Sequence, residues 1–123
     1  MSKKKILIVD DEPNIVLMLS NRFKANGYDV LSALDGQAGL ELAQSSRPDL
    51  IILDLMLPGI DGYQVCSQLK KDSRYSKIPI LLFSAKAQQE DIARGEETGA
   101  DGYIVKPFEA QALLDKIKTL LGQ

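Results

Sequence analysis

The chain has 123 residues, 45% of them apolar and 26% charged, which suits one domain with a buried core and excludes a disordered chain. Fifteen Lys and Arg against seventeen Asp and Glu leave a net charge of −2, which excludes a surface built to coat nucleic acid or anionic membrane. Cys66 is the single cysteine and histidine is absent, so an intrachain disulfide, a thiolate metal cluster and imidazole chemistry are excluded. No apolar run approaches the roughly 20 residues that span a bilayer. Residues 1–9 carry too short an apolar run for a signal peptide, and acids follow at once. The expected address is a reducing cytoplasm. Whatever chemistry occurs there falls to carboxylates, hydroxyls, lysines and a borrowed ion.

In chain order, the first strand is expected at Lys5–Val9 and the first helix at Pro13–Asn26, with Ile15, Leu19, Phe23 and Met18 on its apolar face. Pro13 suits a first turn and Gly27 a left-handed stop. A second strand, Tyr28–Ala33, leads to a helix at Gln37–Ser45 closed by Arg47-Pro48. The third pair is Leu50–Leu53 and Gly62–Lys71, the latter burying Val65, Cys66 and Leu69. The fourth is Ile80–Phe83 and Gln88–Thr98, stopped by Gly99. The fifth is Gly102–Val105 and Glu109–Leu121, with Leu113, Leu114, Ile117, Leu120 and Leu121 inward. The first, third and fourth strands are almost wholly apolar, as strands buried on both faces are. Strict alternation predicts an α/β fold, a doubly wound parallel sheet of five strands flanked by five helices. Residues 1–123 read as a single domain with no linker or repeat.

In such sheets ligands bind beyond the carboxyl ends of the strands. Asp10, Asp11 and Glu12 follow the first strand, Asp54 the third, Ser84 the fourth, and Lys106-Pro107 the fifth. Singly, each has a plain structural reading, such as a helix start, a cap or a surface lysine. Together, with the first and third strands adjacent, they make carboxylates converge that cannot all stay ionised without compensation. A hard cation with oxygen ligands is the natural partner, and magnesium suits carboxylates, a carbonyl, water and a phosphate oxygen. Lys106 adds a positive charge and Ser84 a hydroxyl, the apparatus for stabilising a transferring phosphoryl group. Asp54, nearest the middle of the sheet, is the candidate nucleophile, since a carboxylate can form an aspartyl phosphate.

These residues resemble a family. Asp10-Asp11, the run Leu50-Ile51-Ile52-Leu53-Asp54-Leu55-Met56-Leu57-Pro58-Gly59, Ser84-Ala85 and Lys106-Pro107-Phe108 are similar, in order and spacing, to the signatures of response-regulator receiver domains of two-component signalling. Gly99-Ala100-Asp101-Gly102-Tyr103 adds a further match. The resemblance implies the flavodoxin-like strand order 2-1-3-4-5. It implies that Asp54 accepts a phosphoryl group from a sensor histidine kinase or phosphotransfer protein, and from small donors such as acetyl phosphate, with the receiver catalysing its own transfer and a slow hydrolysis. It implies Mg2+ on Asp10, Asp11, Asp54 and the backbone carbonyl of Met56, with Ser84 and Lys106 on the phosphoryl oxygens and a cis bond before Pro107. Ser84 and Tyr103 become the switch, and the face of the fourth helix, fifth strand and fifth helix becomes the output to an effector. Met56 and Lys86 stand at positions that tune phosphoryl lifetime, where a bulky apolar group and a long cation hinder the hydrolytic water. Gly95 in the fourth helix fits either a yielding element or close packing.

The stretch from Ile78 to Phe108 is most similar to receivers of winged-helix DNA-binding regulators, which dimerise through charged pairs on the switch face. Lys116 stands where a basic partner is expected, but Gly102 where an acid is usual. This segment is expected to contact neither nucleic acid nor membrane itself. Three other readings compete. A flavin binder needs a Gly- and Ser/Thr-rich first loop in place of Asp10-Asp11-Glu12. An aspartate phosphatase of the haloacid-dehalogenase type needs an acid where Met56 stands. A receiver-like module that only binds partners usually lacks one of the site residues present here.

Overall fold

A computed structural model describes residues 3–85 and 88–123. The elements run β1 (Lys5–Val9), α1 (Pro13–Ala25), β2 (Asp29–Ala33), α2 (Gly36–Ser46), β3 (Leu50–Asp54), α3 (Gly62–Lys71), β4 (Ile80–Ser84), α4 (Gln89–Glu97), β5 (Gly102–Val105) and α5 (Ala110–Leu120). All pairings are parallel and the sheet order is β2-β1-β3-β4-β5. The expected architecture and element sequence therefore stand, with boundaries moved by a residue or two.

Alternation along the strands divides the interior into two cores. Ile6, Ile8, Leu50, Ile52, Leu81 and Phe83 pack against Val16, Leu19 and Phe23 of α1 and Leu113, Leu114 and Ile117 of α5. Leu7, Val9, Ile51, Leu53, Ile80 and Leu82 face Leu40 and Ala43 of α2 and Val65, Cys66 and Leu69 of α3. Each fully buried Leu, Ile or Phe contributes about 1.5–3 kcal/mol, so the double core carries the fold. The α1 stripe runs through Val16, Leu19 and Phe23, whereas Met18 is 50% exposed and Ile15 is only partly covered. The expected face was therefore rotated by one position. Leu120 and Leu121 are only partly covered, because α5 ends there.

Local chemistry explains the boundary shifts. Asp35 caps α2, its carboxylate accepting the Ala38 N–H at 2.7 Å, so this helix starts at Gly36 rather than Gln37. The Tyr28 N–H returns to Phe23 O at 3.1 Å beside left-handed Gly27, which keeps Tyr28 in the α1 exit and out of β2. Asp61 and Gln64 form a reciprocal capping box on α3.

The Lys70 ammonium fastens α3 to the sheet. It donates to Ser76 O at 3.0 Å, Ile78 O at 2.8 Å and Asp101 Oδ2 at 2.8 Å, and Asp101 Oδ2 also accepts the Ile80 N–H at 2.9 Å. One side chain thus ties α3, the loop before β4 and the approach to β5. Lys70→Met keeps the stem and removes the three donors; it should cost about 2 kcal/mol in denaturant unfolding, and a loss below a few tenths would contradict the clamp.

Candidate functional site

The strand order reverses between β1 and β3, which opens a crevice at their carboxyl ends. Val9 pairs with Leu53, so Asp10 and Asp54 come next to each other in register. Ser84 ends β4 opposite Val105, and the Lys106 N–H continues the ladder to Ser84 O at 2.8 Å. Among the described residues, Asp10, Asp54 and Ser84 are the buried polar ones, with 0%, 3% and 0% exposure. Four strand ends therefore deliver the expected group to one place.

Lys106 Nζ lies 3.4 Å from Asp10 Oδ2 and 3.2 Å from Asp54 Oδ2, and 4.5 Å above the Phe83 ring. Backbone amides take the other oxygens: Glu12 N–H donates to Asp10 Oδ1 at 2.9 Å, and Met56 N–H to Asp54 Oδ1 at 3.2 Å. Burial is the largest influence on the Asp10 carboxyl and raises it above the ordinary carboxylate value. The Glu12 amide and Lys106 lower it and Asp54 raises it further. Burial pulls the Lys106 ammonium down, but the charges and hydrogen bonds of Asp54 and Asp10 outweigh it, and its pKa is raised. The Lys106–Pro107 bond is cis, as the resemblance implied.

Tyr103 is half-buried on β5 and its ring presses on Gly95 of α4, where a Cβ would lie 3.3 Å from Tyr103 Cδ2 and 2.9 Å from Leu82 Cδ1. Gly95 thus permits close packing. Burial, then Tyr63 and Asp91, push the Tyr103 phenol up to about 12, while a hydrogen bond from Ser84 opposes them. Met56 is 58% exposed beside the crevice. Lys86 lies outside the described residues.

Asp10, Asp11 and Glu12 can bring one carboxylate oxygen each within 4.8 Å of the others. Glu12 is the N-cap residue of α1 but its side chain makes no cap hydrogen bond, which leaves its carboxylate for this cluster. Glu12 was expected only as an acid after the first strand and not as a ligand. The donor set is all oxygen and anionic, which fits Mg2+ and not zinc. Asp54 is not one of these three; Lys106 Nζ bridges it to Asp10. Arg94 was not singled out in the sequence at all; its guanidinium lies 4.1 Å over the Tyr63 ring, in the cavity that also holds Asp11. No periodicity marks it, because that cavity forms between α3 and α4.

The fold and this crevice define a doubly wound α/β protein with an acidic site at its switch point, and comparison with known proteins gives the family. The sequence matches the response regulator receiver domain over residues 6–118, and the chain belongs to that family. It is 44% identical over 117 residues to the DNA-binding dual master transcriptional regulator RpaA of Synechocystis sp., covering 95% of this chain and 48% of that protein. It is 44% identical over 118 residues to the alkaline phosphatase synthesis transcriptional regulatory protein PhoP of Bacillus subtilis, covering 96% and 48%. The chain spans about half the length of the curated relatives it matches. The chemotaxis protein CheY4 of Vibrio cholerae superposes with a TM-score of 0.91 at 34% identity, over 97% of this chain and 99% of that one. As a receiver domain of two-component response regulators, the chain is a module of phosphorylation-dependent signalling. Receiver domains bind Mg2+ at an acidic pocket, and among the described residues no helix is long and apolar enough to cross a membrane.

A carboxyl with a raised folded value binds its proton more tightly folded than unfolded. Its ionisation therefore costs stability as pH rises from the unfolded value of 3.8 through the raised one. Metal-free Asp10→Asn should melt higher than the parent at neutral pH, with the gap closing on acidification. Magnesium should narrow or reverse the order, since an ion bound only by the folded chain stabilises it by mass action. Thermal melts with and without chelator check both; equal midpoints at neutral pH would sink the argument.

Proposed function

We propose that Asp54 is the phosphoryl acceptor of this receiver, serving a sensor histidine kinase or phosphotransfer protein and small donors such as acetyl phosphate. The observation that carries the reading is the Lys106 bridge between the buried carboxylates of Asp10 and Asp54 at the strand ends. Asp10, Asp11, Asp54 and the carbonyl of Met56 would hold Mg2+, which draws charge from the phosphoryl oxygens when bound. An Asp54 oxygen forms the new O–P bond as the bond to the donor breaks, and the electron pair leaves with the donor. Lys106 turns from the carboxylates to a phosphoryl oxygen, and the Ser84 hydroxyl donates to another. Charge on the equatorial oxygens is thereby met by fixed donors already in place.

Drawing Ser84 to the phosphoryl group alters its hydrogen bond with Tyr103, whose ring is packed on Gly95. The α4–β5–α5 face then shifts between two packings and engages an effector, a population shift driven by contacts present only in the phosphorylated state. The same face would seat a second copy in a phosphorylation-dependent homodimer. Lys116 crosses it, its Cε 3.1 Å from where a Gly102 Cβ would stand. The module works in the cytoplasm, and residues 1–123 act as one receiver domain that leaves any contact with nucleic acid to another segment or protein.

Intact mass after incubation with acetyl phosphate and Mg2+ should show one added phosphoryl group, lost in Asp54→Ala and with chelator. No adduct in the parent would favour a module that only binds partners, and an adduct on Asp54→Ala would name a different acceptor. Met56, with Lys86, is proposed to hinder the hydrolytic water, so Met56→Asn should lose its phosphoryl group severalfold faster; an equal decay rate would count against that role.

A further inference from the structure

We propose that Arg94 is a specificity-determining residue for the phosphoryl donor, its guanidinium receiving the departing carboxylate of an acyl phosphate beside the acceptor. The inference rests on the reading of Asp54 as acceptor and extends it to the donor's leaving group. A cavity of about 500 Å³ opens against the crevice, bounded by Asp11, Leu55, Met56, Pro58, Tyr63 and Arg94. The same walls therefore hold a carboxylate of the acidic cluster, the backbone following the acceptor, and Arg94. Asp61 is the other carboxylate lining it, and Arg94 is the one cation among its described lining residues.

Arg94 is held without using its N–H donors. Its guanidinium stacks 4.1 Å over the Tyr63 ring, and the Tyr63 hydroxyl is anchored by donating to Asp91 O at 3.1 Å. A stacked face leaves the five edge donors of the fork directed outward. No carboxylate among the described residues lies within 4.0 Å of its nitrogens, although Asp61 shares the cavity. The result is a pre-positioned and unpaired cation whose geometry matches a carboxylate in two parallel hydrogen bonds.

The donor's chemistry decides when such a cation matters. With an acyl phosphate, an Asp54 oxygen bonds to phosphorus, the P–O bond to the acyl group breaks, and its electron pair leaves on a carboxylate. That carboxylate takes up no proton and carries one negative charge, which Arg94 meets. With phosphoramidate the P–N bond breaks, and the nitrogen, already protonated, departs as a neutral amine. Arg94 therefore favours the first donor class and is indifferent to the second.

The test is the initial rate of phosphoryl incorporation, by intact mass, with acetyl phosphate and with phosphoramidate under the same Mg2+. Arg94→Ala should lower the acetyl phosphate to phosphoramidate rate ratio about fivefold, the size of one partly exposed ion pair. Arg94→Lys should fall between, since it keeps the charge and loses the fork. The deficit should shrink at high salt. A melting curve of metal-free Arg94→Ala that overlays the parent's places the effect in the site and not in the fold. An unchanged ratio overturns the proposal, and so does an equal fall with both donors, which marks damage to the acceptor or the fold. If the parent takes phosphate from neither donor, the acceptor reading itself falls and this inference with it.

Discussion

Two carboxylates, Asp10 and Asp54, are buried next to each other at the ends of adjacent strands, and one ammonium, Lys106, reaches both. Like charges in a low-dielectric crevice are tolerable only with such a partner, and a largely covered ammonium keeps its charge only against carboxylates. Each side of the triad is the reason the other can stay. The arrangement also demands that β1, β3, β4 and β5 end level, which a parallel sheet in this register supplies. Everything else in the fold can be viewed as holding those four strand ends together.

Within the triad, burial of the Asp10 charge costs stability, and the rest of the chain offsets that cost. Raised values at Asp10 and Lys106 have different meanings: burial disfavours the Asp10 charge, while the two carboxylates favour the Lys106 charge. The offset comes from two apolar layers, one on each face of a sheet whose central strands are buried on both sides. Polar fasteners such as the Lys70 clamp and the α3 capping box set the helices against those layers without adding charge near the crevice.

The offset is uneven. Gly95 is the one buried residue of α4, whereas α1, α2, α3 and α5 each bury three or more. A helix so lightly anchored is the element that can be repacked for the least free energy. It is also the helix that carries Arg94 beside the crevice and packs on Tyr103 of β5. The proposed output face and the proposed donor contact thus fall on the same weakly held segment, which links what happens at Asp54 to what a partner meets outside.

Much of this was legible in the sequence, and the reason is local. Apolar runs of four or five residues separated by helix-length segments can form little but a parallel sheet, and such a sheet gathers its strand ends. Asp10, Asp54, Ser84 and Lys106 could therefore be brought together from strand position alone, without distances. What the sequence did not determine lies where elements cross. Met18 faces solvent and Val16 the core because the docking angle of α1 chose between two plausible stripes. No pattern along the chain marks Lys70, yet folding places it against two carbonyls and Asp101, whose positions depend on the path of the loop before β4. Glu12 is the N-cap residue of α1, yet its side chain makes no cap hydrogen bond and is left to the acidic cluster. Arg94 meets Tyr63 and the Asp11 cavity across two helices with no sequence period in common. Strand order and strand-end chemistry follow from patterns along the chain, whereas the grooves between helices are set by packing in three dimensions, which no pattern along one dimension encodes.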